Sequence, residues 1–136
     1  MARKARAYVL DSWAVLAYLE DEPAGESVAN LIIEANETGQ PIYISTVNAG
    51  EVWYILAREV SESAADQALE ELSHLGVQMA EATWPLARAA AIFKAKGKIS
   101  YADCFAAALA LEKKAELITG DKEFRQVEAQ VRIHWL

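Results

Sequence analysis

Short apolar runs alternate along the chain with longer stretches in which apolar residues recur every three or four positions. Ala7 to Leu10 is the first run and suits a buried strand. Asp11-Ser12 then offers a helix cap, after which Val15, Leu16 and Leu19 share one helical face. Pro23 opens a second helical stretch, with Val28, Leu31 and Ile32 inward and Gly39 closing it. Pro41 to Ser45 reads as a second strand. The spacing predicts helices from about Asn48 to Val60 and from Ser63 to Leu75, the latter stopped by Gly76. Val77 to Ala80 is a third strand. Thr83 caps a helix to about Ala95 that ends near Gly97, and Ser100 caps an alanine-rich helix to about Lys114. Glu116 to Thr119 is a fourth strand, Asp121 starts a short helix, and Val131 to Trp135 is a fifth strand.

Strands that alternate with helical stretches predict a parallel sheet covered on both faces. No repeat, low-complexity segment or linker-like change of composition interrupts the order. The expected architecture is one domain over residues 1–136, a three-layer α/β/α sandwich.

Composition narrows the chemistry. Apolar residues make up 54% of 136 and charged residues 24%, the balance of an ordinary globule rather than a disordered tail. A single cysteine, Cys104, excludes an intramolecular disulfide and any four-cysteine zinc site. Thirteen Lys and Arg against twenty Asp and Glu leave a formal charge of −7. A protein that coats phosphates is basic, so bulk electrostatic grip on nucleic acid is excluded, and any such binding is local or mediated by cations. The longest uncharged stretch, Thr38 to Gly50, is too short to span a bilayer. The basic start with Arg3, Lys4 and Arg6 runs into an apolar stretch too brief for a signal peptide, which leaves a solvated N-terminus and a cytoplasmic protein as the expectation.

Open parallel sheets bind ligands outside the carboxyl ends of their strands, so acids at those places carry the interest. Asp11 follows the first strand and Asp121 the fourth. Glu51 falls in the first turn of the helix after the second strand, and Asp103 in the first turn of the helix begun by Ser100. Each has an ordinary structural role open to it. Asn48 to Glu51 and Ser100 to Asp103 fit capping-box spacing, and acids near helix starts gain from the helix dipole. Together, however, the four share one edge of one sheet. Clustered carboxylates repel and need protons or cations, and hard oxygen ligands suit Mg²⁺ or Mn²⁺.

At these residues the sequence resembles the PIN-domain nucleases, in particular the small VapC-like toxins of type II toxin–antitoxin pairs. The likeness rests on Asp11-Ser12 after the first strand and on Asn48 and Glu51 one helical turn apart. It continues through Ser100-Tyr101-Ala102-Asp103 opening a small-residue helix and Thr119-Gly120-Asp121-Lys122-Glu123-Phe124 after the fourth strand. It covers essentially the whole chain in order and spacing. The resemblance implies a five-stranded parallel sheet between helices and a metal-dependent endoribonuclease. Asp11, Glu51, Asp103 and Asp121 would hold one or two Mg²⁺ or Mn²⁺ ions and carry catalysis, with Glu123 sharing or replacing the role of Asp121. Ser12 and Thr119 have hydroxyls suited to a metal water, a carboxylate or a phosphate oxygen, and Asn48 suits orientation of Glu51 or a phosphate. An RNA substrate, a cognate antitoxin protein and a homodimer are the implied partners.

Other features divide between two readings. Lys94, Lys96 and Lys98 form a solvated helix end or, for Lys96 and Lys98, a contact to the RNA backbone. Trp13 and Trp53 flank two site motifs and read as core packing rather than base stacking. His74 and His134 sit away from every motif and read as structural. A receiver domain would need an acceptor Asp after the third strand, where Val77-Gln78-Met79-Ala80-Glu81 has none. A phosphatase of the Asp-x-Asp type fails because Trp13 occupies the second acidic position. A non-catalytic PIN-like module that binds RNA or protein, and an RNA-processing nuclease, stand as alternatives.

Overall fold

A computed structural model describes residues 7–136; the basic run Arg3, Lys4 and Arg6 lies outside the described residues. Five strands and six helices follow in the order β1 (Tyr8–Leu10), α1 (Ser12–Leu19), α2 (Gly25–Thr38), β2 (Ile42–Ser45), α3 (Thr46–Glu59), α4 (Glu62–His74), β3 (Val77–Ala80), α5 (Trp84–Lys96), α6 (Tyr101–Lys113), β4 (Glu116–Thr119) and β5 (Ile133–Trp135). A 3₁₀ segment, Lys122–Val127, joins the last two strands. All pairings are parallel and the sheet order is β3-β2-β1-β4-β5.

The period of two along each strand sorts side chains into two cores. Tyr8, Leu10, Ile42, Ile44 and Ile118 face one side, where Val15, Val28, Ile32, Val52, Leu56 and Leu72 of α1 to α4 cover them. Ala7, Val9 and Leu117 face the other, against Leu86, Ala90, Phe105, Leu109, Phe124 and Val127. Cys104 to Ala110 are all buried, because the alanines of α6 let it pack tightly among the sheet, α5 and α3. The α/β/α sandwich and five-stranded parallel sheet thus match the expectation. Among the described residues no helix is long and apolar enough to cross a membrane.

Two helix starts differ from the sequence reading. Helix α3 begins at Thr46, not near Asn48, because Ser45 is its cap: the Ser45 hydroxyl oxygen accepts the Asn48 N–H at 3.0 Å. The β-branched pair Thr46-Val47 imitates the end of a strand and hides the boundary. Glu51 therefore lies in the second turn of α3, not the first. Helix α2 begins at Gly25 rather than at Pro23, after a turn in which Gly25 N–H reaches the Glu22 carbonyl at 2.8 Å. A side chain at Gly25 would strike the Ala17 carbonyl, so glycine there lets α2 start hard against α1.

The order places β1 at the centre, with the chain running outward through β2 to β3 on one side and through β4 to β5 on the other. The switch point of such a sheet lies between β1 and β4, and a crevice opens outside their carboxyl ends. Leu10 pairs with Ile118 there, so the next residues, Asp11 and Thr119, meet at the crevice.

Candidate functional site

Asp11 is both a helix cap and the buried centre of this crevice. Its Oδ1 accepts the Ala14 N–H at 2.8 Å, capping α1, and its Oδ2 accepts the Thr119 hydroxyl at 2.5 Å. The same Thr119 oxygen accepts the Asp121 N–H at 3.0 Å, and Asp121 Oδ1 in turn accepts the Glu123 N–H at 3.0 Å. One hydroxyl thus fixes both the first acid and the loop that carries the fourth. Asp103 stands at the start of α6, where its N–H donates to the Ser100 hydroxyl at 3.2 Å.

Ser12, Trp13, Leu16, Glu51, Ile55, Ser100, Asp103, Asp121 and Glu123 line an open cleft of about 480 Å³ at this edge. Three of the four acids singled out by sequence reach its wall, as does Glu123. The fourth, Asp11, is fully buried and interacts electrostatically with Asp103 and Asp121. Among the described residues no Lys or Arg lines the cleft.

This arrangement raises the acids' pKa values. Burial pushes Asp11 up to about 7; Asp103 and Asp121 push the same way, against the Thr119 and Ala14 hydrogen bonds. Asp103 rises to about 6, chiefly through burial, opposed by Ser100 and reinforced by Asp121, Glu51 and Glu123. A pocket of hard oxygen donors that repel one another fits a divalent cation by donor chemistry. Asp11 has two hydrogen bonds on a carboxylate that offers about four acceptor positions, so it keeps capacity for a ligand. Among the described residues no three His, Cys, Asp or Glu side chains are already closed around a position for an ion.

Asn48 does not hold Glu51, the first role expected of it. Its side chain is fully buried and joins three helices. Oδ1 accepts the Ser45 hydroxyl at 2.6 Å, and Nδ2 donates to Ser12 Oγ at 3.1 Å and to the Ala102 carbonyl at 3.2 Å. Ser12 Oγ also donates to the Asn48 carbonyl at 3.3 Å. This network sets α1 and the first turn of α6, hence Ser12 and Asp103, against α3. Asn48→Ala strands several buried polar groups and is expected to lower the unfolding free energy by about 2–3 kcal/mol, measured by urea denaturation. A loss below about 0.5 kcal/mol would mean the network is not what holds the helices together.

Lys94, Lys96 and Lys98 do not line the cleft. Lys96 lines a separate cavity of about 270 Å³ with Gly97, Ile99 and Gln126. Lys98 is exposed and its N–H donates to Gln126 Oε1, while Lys94 Nζ caps the Ile99 carbonyl. Trp53 packs against the core as expected and donates to Asp66 at 2.9 Å. Trp13 does not: it is 39% exposed and stands in the cleft wall. Its ring rests on Gly120, where any side chain would collide with it. Leu16 and Ile55 also line the cleft unannounced; Ile55 falls one helical turn after Glu51, the spacing that would have revealed it. His134 bonds Glu116 at 3.0 Å and His74 is exposed on α4; neither lines the cleft.

The sequence model of the PIN domain matches residues 8–130. No curated protein sequence matches the chain. Among solved structures, VapBC2 of Rickettsia felis bound to a promoter DNA fragment is similar at a TM-score of 0.76 and 17% identity, over 96% of this chain and 98% of that one. VapC20 of Mycobacterium tuberculosis, described as a sarcin-ricin loop cleaving toxin, gives 0.68 and 20% over 92% and 96%. VapBC-1 of nontypeable Haemophilus influenzae gives 0.69 and 18% over 95% and 97%. At these identities the likeness is one of fold.

Proposed function

The chain belongs to the PIN-domain family, and on that premise we propose that it is a metal-dependent endoribonuclease, the toxin of a toxin–antitoxin pair. The observation that carries this reading is the cleft at the switch point. Glu51, Asp103, Asp121 and Glu123 line it above a buried Asp11, with no basic residue among them. A structural ion pair network would bring cations; this set brings only oxygen donors. Asp11, Glu51, Asp103 and Asp121 are the residues that would hold Mg²⁺ or Mn²⁺, as one or two ions. When bound, a divalent ion supplies acidified water and positive charge against a phosphodiester.

The chain's own residues hold that constellation in place. Thr119 fixes the orientation of Asp11 and the Asp121 loop together. Asn48 holds Ser12 and the carbonyl of Ala102, the residue before Asp103. Glu123 shares the rim with Asp121 and is the natural substitute ligand. Lys96 and Lys98, outside the cleft lining, act on this reading on RNA that extends past it.

A partner that restrains the enzyme has a seat beside the acids. A groove of about 490 Å³ is lined by Trp13, Leu16, Ala17, Pro23 and Ala24 with Glu20 and Glu22, and it shares Trp13 and Leu16 with the acid cleft. Apolar walls with an acidic lip suit an antitoxin segment that presents apolar side chains and then a basic one. The reading includes a homodimer, for which Trp84, Ile92 and Leu111 on α5 and α6 are exposed large apolar side chains.

The test is cleavage of mixed cellular RNA by purified protein with Mn²⁺, with chelator, and beside Asp103→Asn. Cleavage is expected only with metal, and at least about a hundredfold slower in the variant. A folded, partner-free protein that leaves every RNA intact would instead be a binding module.

A further inference from the structure

On the other side of the Asp121 turn lies a second cavity, of about 400 Å³, lined by Gly120, Lys122, Arg125, Glu128, Trp135 and Leu136. Lys122 and Arg125 are exposed on the 3₁₀ segment, and among the described residues neither takes part in an ion pair. Trp135 is 38% exposed on β5, and among the described residues no cation stacks on its ring. Lys122 and Arg125 stand there against the Glu128 side chain and the carboxylate of Leu136, the last residue of the sequence, so two cations gather in a protein whose formal charge is −7.

The two cavities share one turn of chain. Asp121 lines the acid cleft and Lys122, the next residue, lines the basic one. Gly120 contributes backbone to the basic cavity while the Trp13 ring of the acid cleft rests upon it. Two uncommitted cations recognise phosphate oxygens, and an uncommitted indole face recognises a base. An acidic protein needs such a local foothold, since its overall field repels RNA.

We propose that Lys122, Arg125 and Trp135 form a nucleotide subsite that holds an unpaired RNA residue beside the acid cleft, the cations on its phosphate and the indole on its base. This rests on the nuclease reading for its place in the reaction, but its binding is measurable without cleavage. The subsite would retain substrate beside a cleft that neither Lys96 nor Lys98 lines. It also selects for unpaired RNA, because a base inside a duplex cannot offer its face to Trp135.

The experiment measures binding of a short unpaired RNA in chelator, by fluorescence anisotropy over a range of salt. The full chain is compared with the double variant Lys122→Ala, Arg125→Ala, and with Trp135→Leu and Trp135→Phe. The double variant is expected to bind about tenfold more weakly and to lose about 1.4 from the salt slope, roughly 0.7 for each single-strand phosphate contact. Trp135→Leu is expected to weaken binding about tenfold and Trp135→Phe to retain most of it, since any aromatic ring can stack. Unchanged affinity in the double variant and in Trp135→Leu overturns the proposal, as does a wild-type chain that binds no RNA. Equal affinity for an abasic oligomer or for polyaspartate also overturns it, leaving only a polyanion patch. Trp135→Phe failing as fully as Trp135→Leu removes stacking and overturns the base contact. Cleavage with Mn²⁺ separates the two readings: metal-dependent cutting with KM unmoved in these variants sinks the subsite alone, whereas RNA bound through these residues but never cut sinks the nuclease alone.

Discussion

Replacing Asp11 by Asn is expected to silence RNA cleavage by about a hundredfold or more while making the protein harder to unfold. The two effects have one cause. Asp11 is fully buried, and burial raises its pKa to about 7, so its charged form is held in the fold at a cost. Asparagine keeps the shape and both hydrogen bonds. Its carbonyl accepts the Ala14 N–H, and its amide donates to the Thr119 oxygen that now donates to Asp11. What disappears is the buried negative charge and the repulsion from Asp103 and Asp121. At pH 8 without metal the variant should gain about 2–4 kcal/mol, or several degrees in Tm. A variant that loses activity and stability together would mean Asp11 serves the fold as a charge.

The second large effect is a reversed pH dependence that metal removes. Asp11 and Asp103 have ordinary pKa values of 3.8 and folded values of about 7 and about 6. Between those limits the folded protein holds protons that the unfolded chain has released. Stability therefore falls as pH rises through the window. Below pH 3.8 the effect is absent; above about 7 it is complete. Asp11 accounts for about 2–4 kcal/mol of it, and Asp103, which is partly solvated, for less. The clean measurement is the stability difference between wild type and Asp11→Asn. It should be near zero at pH 4 and grow up to pH 7. Saturating Mn²⁺ at pH 8 should restore about 3 kcal/mol to the wild type at a hundred times its Kd, and chelator should remove it. A difference that stays flat with pH would show that Asp11 is ionised without penalty.

Asp11, Asp103 and Asp121 were legible because each stands at or just inside an element boundary, where strand, cap and helix leave separate marks in the sequence. Asp11 and Asp121 read as caps and are caps, which did not diminish them as site residues: the position that ends a strand at a sheet edge is also the position that starts a helix. The strand pattern was legible too, since apolar runs of three or four residues allow little else between such clear helices. Other things were written only in three dimensions. Ser45 reads as the end of a strand and Asn48 as the start of α3, and only the bond between them shows that Ser45 is the cap. Trp13 sits in an apolar helix and carries every mark of a core residue; its exposure follows from the Gly120 backbone lying beneath it. Of the lysines near Asp103 in sequence, Lys96 lines another cavity, whereas Lys122 and Arg125, one and four residues after Asp121, line the cavity across its turn.

The bond from Thr119 to Asp11 spans 108 residues of chain. Asp11 is made 108 residues before Thr119, so the strand that completes the sheet's centre, β4, emerges long after β1. Until then β1 lacks one neighbour, Asp11 lacks the hydroxyl that orients it, and Asp121 has not been made. A contact so distant in sequence is also slow to form, because long loops must close before it contributes. Until β4 has been made, therefore, the nascent chain holds no completed acid cleft.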